Sequence, residues 1–302
     1  MTYLALVFPA LKDRRLPLTR DQLMLLMAAF NEIMLGVDTY LAHVLNQTIL
    51  WREWIPIIFG PLAGGLLLVA GLVALRNRLL AARLATLVFV ASIIVGVLGA
   101  SFHLIRGILP TAPVGSRLTI PLLIWAPPIL APFAFAGIGV LGMSAAFRET
   151  PPDSGTLEVG RTRRLRLPYS KTRAYLFLIS LGILATLLSS AFDHGRTGYT
   201  NPWLWAPIAV GVFGTVVSAG LGAVRQPNKG DIYTYLAAMG LLILAGIVGG
   251  LLHIQTDLAG ESVIVPERFL RGAPFLAPLL FANMGLLGII ALLSPVEAPV
   301  DD

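Results

Sequence analysis

Eight apolar stretches, each long enough to cross about 30 Å of hydrocarbon as a helix, follow one another along this 302-residue chain. They cover 22–45, 53–75, 84–105, 119–147, 173–194, 203–224, 232–254 and 273–293. With 56% hydrophobic residues, 13% charged residues and a mean hydropathy of +0.81, the chain has too few polar side chains to wrap a soluble domain. A membrane β-barrel would instead show alternating segments of about ten residues. The sequence therefore predicts an all-α integral membrane protein with eight transmembrane helices. There is no cysteine, which removes disulfides, thiolate zinc sites, iron–sulfur clusters and covalent haem attachment.

Charge sets the orientation. The N-terminal arm and the loops at 76–83, 148–173 and 225–231 carry 4, 3, 7 and 2 Lys/Arg, against six on the other face: Arg52, Arg106, Arg117, Arg196, Arg268 and Arg271. The positive-inside rule then puts both termini in the cytoplasm of a bacterial inner membrane. The net charge of +6 reflects topology and anionic-lipid contact rather than nucleic-acid binding. Charges from Lys12 to Arg15 follow the apolar Met1–Ala10 stretch, so the first long helix is expected to serve as an uncleaved insertion signal.

The two halves resemble each other. Trp54-Ile-Pro56 matches Trp205-Ala-Pro207, and Gly96-x-x-Gly99-x-x-x-His103 matches Gly246-x-x-Gly249-x-x-x-His253. Pro128-x-Leu-Ala-Pro132 matches Pro274-x-Leu-Ala-Pro278, with Phe-Ala and glycines following in step. Four helices per copy is an even number, so the copies enter the membrane in the same sense and form two fused, parallel four-helix repeats. Residues 1–147 and 173–302 are the repeats, and the basic stretch 148–172 is the linker.

The four histidines fall into the repeat as pairs. His43 and His103 lie 60 residues apart, His194 and His253 lie 59 apart, and each closes a helix on the outer side. Ionisable side chains inside a membrane are expensive and usually functional, and imidazole is a common ligand of metals and haem iron. Helices 1 and 3 of an up-down bundle are diagonal, with axes about 14 Å apart. That gap is expected to suit a porphyrin between two axial histidines better than a shared small ion. Gly96, Gly99, Gly246 and Gly249 share a face with the histidine that follows them and would open a slot for a flat macrocycle, although small residues also serve close helix packing. Arg106, Arg196 and Arg271 are candidates for haem propionates or for lipid headgroups.

Glu32, Gly36, Thr39 and His43 form one stripe on the first long helix, and Glu32 sits near mid-membrane, about 16 Å below His43. Its counterpart in the second half is Ile183. A lone carboxylate at that depth suggests proton handling, or a structural hydrogen bond to a residue such as Asn283. Asp193, Asp257 and Glu261, close to the second pair, are candidates for ion ligands or for interfacial solvation.

Eight helices in two fused units, each with a histidine pair, resemble haem A synthase. In that family the histidines start even-numbered helices, and an acidic residue three positions before the first histidine serves catalysis. Here they end odd-numbered helices and Tyr40 stands at that position, so the resemblance implies paired haems and no catalytic residue. The leading expectation is a di-haem b-type electron-transfer protein. It would work with a periplasmic redox partner, a quinone or a larger membrane complex. Copper or other divalent-metal handling is an alternative, weakened by the absence of cysteine and of a Met-x-x-Met pattern around Met34 and Met284. A structural or pigment-binding subunit is the third. No G-x-S-x-G or phosphate-binding loop is present.

Overall fold

In a computed structural model, residues 3–11, 17–44, 49–159, 163–259 and 265–293 are described. The chain is nearly all helical: α1 (Tyr3–Val7), α2 (Arg20–Val44), α3 (Trp54–Ala74), α4 (Arg78–Gly107), α5 (Ile120–Trp125), α6 (Leu130–Ala146), α7 (Lys171–Gly195), α8 (Trp205–Ala223), α9 (Lys229–Leu258), α10 (Pro266–Arg271) and α11 (Leu279–Ala291). Among the described residues six helices are long and apolar enough to cross a membrane: α2, α3, α4, α7, α8 with the turn before it, and α9. They are apolar on their outer faces too; Leu72, Leu87 and Val216 are each more than 60% exposed. Such helices belong in lipid.

The stretches at 119–147 and 273–293 are shorter as helices than the sequence suggested. Pro127 and Pro128 separate α5 from α6, and Pro274 and Pro278 delay α11 to Leu279. Proline removes an N–H donor and clashes with the preceding turn, so the helix restarts after it. The resulting apolar helices, α6 and α11, have 17 and 13 residues.

Polar side chains start the long helices that end in histidine. Thr19 and Gln22 exchange hydrogen bonds at the start of α2, Asn77 caps α4, Ser170 caps α7, and Asn228 with Asp231 forms a capping box on α9. Each satisfies amides that a helix N-terminus leaves bare.

Two rings of helices result. α2 packs on α3, α3 on α4, α4 on α6 and α6 back on α2, so α2 and α4 lie diagonally. α7, α8, α9 and α11 close in the same order, and α6–α7, α2–α11 and α1–α9 contacts join the rings. Glycine sets the closest approaches. A Cβ on Gly96 would lie 2.5 Å from the Ala136 amide nitrogen, and one on Gly246 would lie 2.5 Å from that of Ala282.

The stretch between the rings is more structured than a linker. It folds into an antiparallel sheet of β1 (Arg148–Glu149), β2 (Thr156–Glu158) and β3 (Arg164–Arg166), paired in the order β1-β2-β3. The buried Glu149 carboxylate organises it, accepting from the backbone N–H groups of Asp153, Gly155 and Lys171. Gly155 has φ +75°, and a Cβ there would press on the Tyr169 carbonyl at 2.7 Å.

Candidate functional site

The fold brings the four histidines together as the two pairs the sequence suggested. The ring centroids of His43 and His103 are 6.1 Å apart, at the ends of diagonal helices α2 and α4. Those of His194 and His253 are 6.4 Å apart, between α7 and α9. The side chains reach inward and close most of the diagonal gap, so a shared ion is geometrically possible after all, contrary to the expectation from axis spacing. The distance also selects an arrangement. With an imidazole nitrogen about 2 Å from a metal and its ring centroid about 1 Å further, two rings on opposite sides of one metal sit about 6 Å apart, and at a tetrahedral angle about 5 Å. Both separations, 6.1 and 6.4 Å, lie nearer the first value.

Hydrogen bonds fix which nitrogen is available. His43 Nδ1 lies 2.8 Å from the Thr39 carbonyl, His103 Nδ1 2.8 Å from the Pro128 carbonyl, and His253 Nδ1 3.1 Å from the Pro274 carbonyl. A carbonyl only accepts, so Nδ1 carries the proton in each ring, and in the neutral form Nε2 keeps the lone pair. His194 Nδ1 is 3.4 Å from Ser190 Oγ, which can play either role. Metal-binding histidines are oriented in this way by their second nitrogen.

Pro128 and Pro274 lie just before α6 and α11, outside the regular helices, and the Pro274 carbonyl also accepts from the Ala277 N–H. The proline pattern noted as a mark of duplication thus also places acceptors beside the histidines. That role was missed at the sequence level, where these prolines served only as a mark of duplication.

Several expected site residues do other work. Gly96 and Gly99 are covered by Ala136 and Pro132 of α6, and Gly246 and Gly249 by Ala282 and Pro278. They seat a neighbouring helix rather than line an open slot. Arg196 donates to the carbonyls of Ile124 and Ala126 and pairs with Asp193 at 3.8 Å, tying the end of α7 to α5. Arg106 stays largely exposed beside His103 and reaches Glu53 at 3.8 Å. The Arg271 side chain and Glu261 lie outside the described residues. Asp257 is buried and accepts from the Ala273 N–H, holding the approach to α11. Among the described residues no three His, Asp or Glu converge as a metal site, so each histidine pair offers at most two candidate ligands.

Glu32 is fully buried, and its partner is Ser92 of α4 at 2.6 Å, not Asn283. Ser92 follows Glu32 by the same 60 residues that separate His43 from His103. That shared offset was the overlooked signal. The corresponding level of the second ring holds Ile183 and Leu242, both fully buried.

A second polar cluster was hidden among the topology charges. Arg20 and Lys171 are buried at 2% and 0% exposure. Lys171 Nζ meets Asp21 at 2.5 Å and the Phe147 carbonyl at 2.6 Å, Tyr175 donates to Asp21 at 3.0 Å, and Arg20 donates to Thr172 at 2.6 Å. These contacts lock the start of α2 to the start of α7.

Comparison with known families, with characterised proteins and with solved structures gave no match.

Proposed function

We propose that this chain is an eight-helix, two-repeat protein of a bacterial inner membrane, with both termini cytoplasmic, that holds two b-type haems near the outer face. His43 and His103 would be the axial ligands of one, and His194 and His253 those of the other. The observation that carries the reading is the pair of centroid distances, 6.1 and 6.4 Å, combined with Nδ1 protons committed to carbonyls in His43, His103 and His253. Two neutral imidazoles opposed across one metal are what a six-coordinate haem iron requires, and such an iron supplies one-electron transfer.

Both sites would lie at the same membrane depth, so the chain alone does not carry electrons across the bilayer. It would pass them laterally, between a periplasmic partner and a quinone or a larger complex. The resemblance to haem A synthase supports paired haems in a duplicated bundle and nothing more specific.

A two-coordinate metal ion, copper in particular, is the second reading, because opposed imidazoles at this distance also suit an ion that needs only two ligands. One preparation separates the two. Purified protein should show b-type bands in a reduced-minus-oxidised spectrum. A colourless protein with stoichiometric copper would replace the haem reading.

A further inference from the structure

We propose that Glu32 and Ser92 form a proton-exchange site in the first ring, coupled to the charge at His43 and His103. This deepens the electron-transfer reading and rests on it for the coupling, though not for the proton site itself.

The geometry serves both protonation states. Ser92 Oγ lies 2.6 Å from Glu32 Oε1 and 3.1 Å from the Val88 carbonyl, and its hydroxyl has one hydrogen for the two. With Glu32 ionised, the hydroxyl donates to Oε1. With Glu32 protonated on Oε1, the carboxyl O–H donates to Ser92 Oγ, and the Ser92 hydroxyl turns to Val88. Neither state strands the serine. A carboxylate held for structure alone needs a fixed donor, whereas Glu32 Oε2 has no hydrogen-bond partner among the described residues.

Among the described residues no ion pair reaches Glu32. The helices packed along α2 are α3, α6, α10 and α11, and α7 meets only its start, through Lys171, Thr172 and Tyr175. α3, α6 and α11 contain no ionisable residue, and α10 carries Glu267, Arg268 and Arg271. On α4, which supplies Ser92, the ionisable residues are Arg78, Arg83, His103 and Arg106, all towards its ends. On α2 itself Arg20 and Asp21 lie at the start, and Asp38, Tyr40 and His43 in the last two turns. Of these, the histidine pair shares the stripe with Glu32.

The coupling is electrostatic. Glu32 lies eleven residues before His43 and Ser92 eleven before His103, so the two levels are about 16 Å apart. Unit charges at that separation, at an effective dielectric constant of about 20, shift each other's equilibria about fivefold. Were a one-electron reductant to reduce the first site, the added negative charge would raise the proton affinity of Glu32 about fivefold, so a fraction of a proton per electron would be taken up from solution to form the acid and returned on reoxidation. The second ring, with Ile183 and Leu242 at this level, has no such carboxyl there.

The test isolates each site in the full-length protein. A His194→Ala/His253→Ala variant retains the first site, and His43→Ala/His103→Ala retains the second. The reduction equilibrium of the first site should change about fivefold with pH, and Glu32→Gln should flatten it with cofactor content unchanged. The second site, with Asp193 and Asp257 near its histidines, should keep the same pH profile in Glu32→Gln. Ser92→Ala should displace the pH window without abolishing it. A first-site profile unchanged by Glu32→Gln overturns the coupling, whatever that variant does to thermal stability. A colourless preparation would end the haem reading instead. Infrared difference spectra between acid and alkaline pH then decide the proton site: a titrating carboxyl band absent from Glu32→Gln supports it, and no such band overturns it.

Discussion

The two helix rings are alike at their histidine ends and unlike in the middle. At those ends each brings two imidazoles to 6.1 or 6.4 Å, and in each a proline carbonyl lies on the histidine of the third long helix. Eleven residues further in, the first ring has a carboxylate and a hydroxyl where the second has isoleucine and leucine, all of them buried. Similar pair spacing, 6.1 against 6.4 Å, is what two sites for the same kind of group would show. A different interior argues that such a group would not do the same thing twice. A buried carboxyl away from any cation is costly to keep, so its presence in one ring and not the other calls for a use.

The comparison breaks first at the histidines, where the expected effect is largest. His103→Ala should remove the cofactor of the first ring completely and leave that of the second, halving the haem absorbance per protein. His253→Ala should do the converse. Loss of both cofactors from either variant would mean one site shared between the rings, and the comparison between them would fall.

The junction between the rings comes next. Lys171 is fully buried against Asp21 and the Phe147 carbonyl, so Lys171→Met removes the nearer cation of Asp21 and leaves Arg20, at 3.5 Å. Breaking a buried ion pair from one side costs about 3–5 kcal/mol, and the remaining Arg20 sets the loss towards the lower figure. Denaturation in detergent should show a loss of that size with both spectra intact in the folded fraction. If one cofactor site alone were lost, the cluster would belong to that ring rather than to the joint.

How much of this could be read from the chain depends on the kind of signal. The apolar helices and the pairing of the histidines follow from hydropathy and from spacing, and both are periodic properties of the sequence. The breaks before α6 and α11 were signalled by prolines, yet the apolar runs around Pro127, Pro128 and Pro278 hid them in a hydropathy reading. The glycines before His103 and His253 were legible as small residues. Whether a helix or a ligand covers them depends on α6 and α11, which spacing along α4 and α9 cannot report. Arg20 and Lys171 looked like the charges that fix topology. Their burial comes from a contact between residues 150 apart in the chain, beyond the reach of any local pattern.

The proline carbonyls offer a subtler probe of the likeness between the rings. Pro128→Ala and Pro274→Ala release the ring-restricted backbone that aims these carbonyls at His103 and His253. Losing such an orienting bond typically weakens metal binding about 10–100-fold. Each variant should lower cofactor retention in its own ring, measured by competition with an apo-haem acceptor. An effect in one ring only would show that the carbonyl orients the ligand there and merely neighbours it in the other.

The smallest expected difference lies at the glycines. Gly96→Ala and Gly246→Ala each push a methyl against a backbone amide at 2.5 Å, in α6 and α11 respectively. Overpacking of this kind costs about 1–3 kcal/mol. Because the contact distances are the same, the two losses should agree within the error of a denaturation experiment, and both cofactors should remain bound. Gly65→Ala, on α3 with open space around it, is the control and should not destabilise. A result in which Gly96→Ala released the first cofactor without lowering stability would return these glycines to the role of a macrocycle slot, with α6 moving aside when that cofactor binds. The same result at Gly246 would be required for the outer halves of the rings to remain equivalent, since Ala282 covers that glycine just as Ala136 covers Gly96.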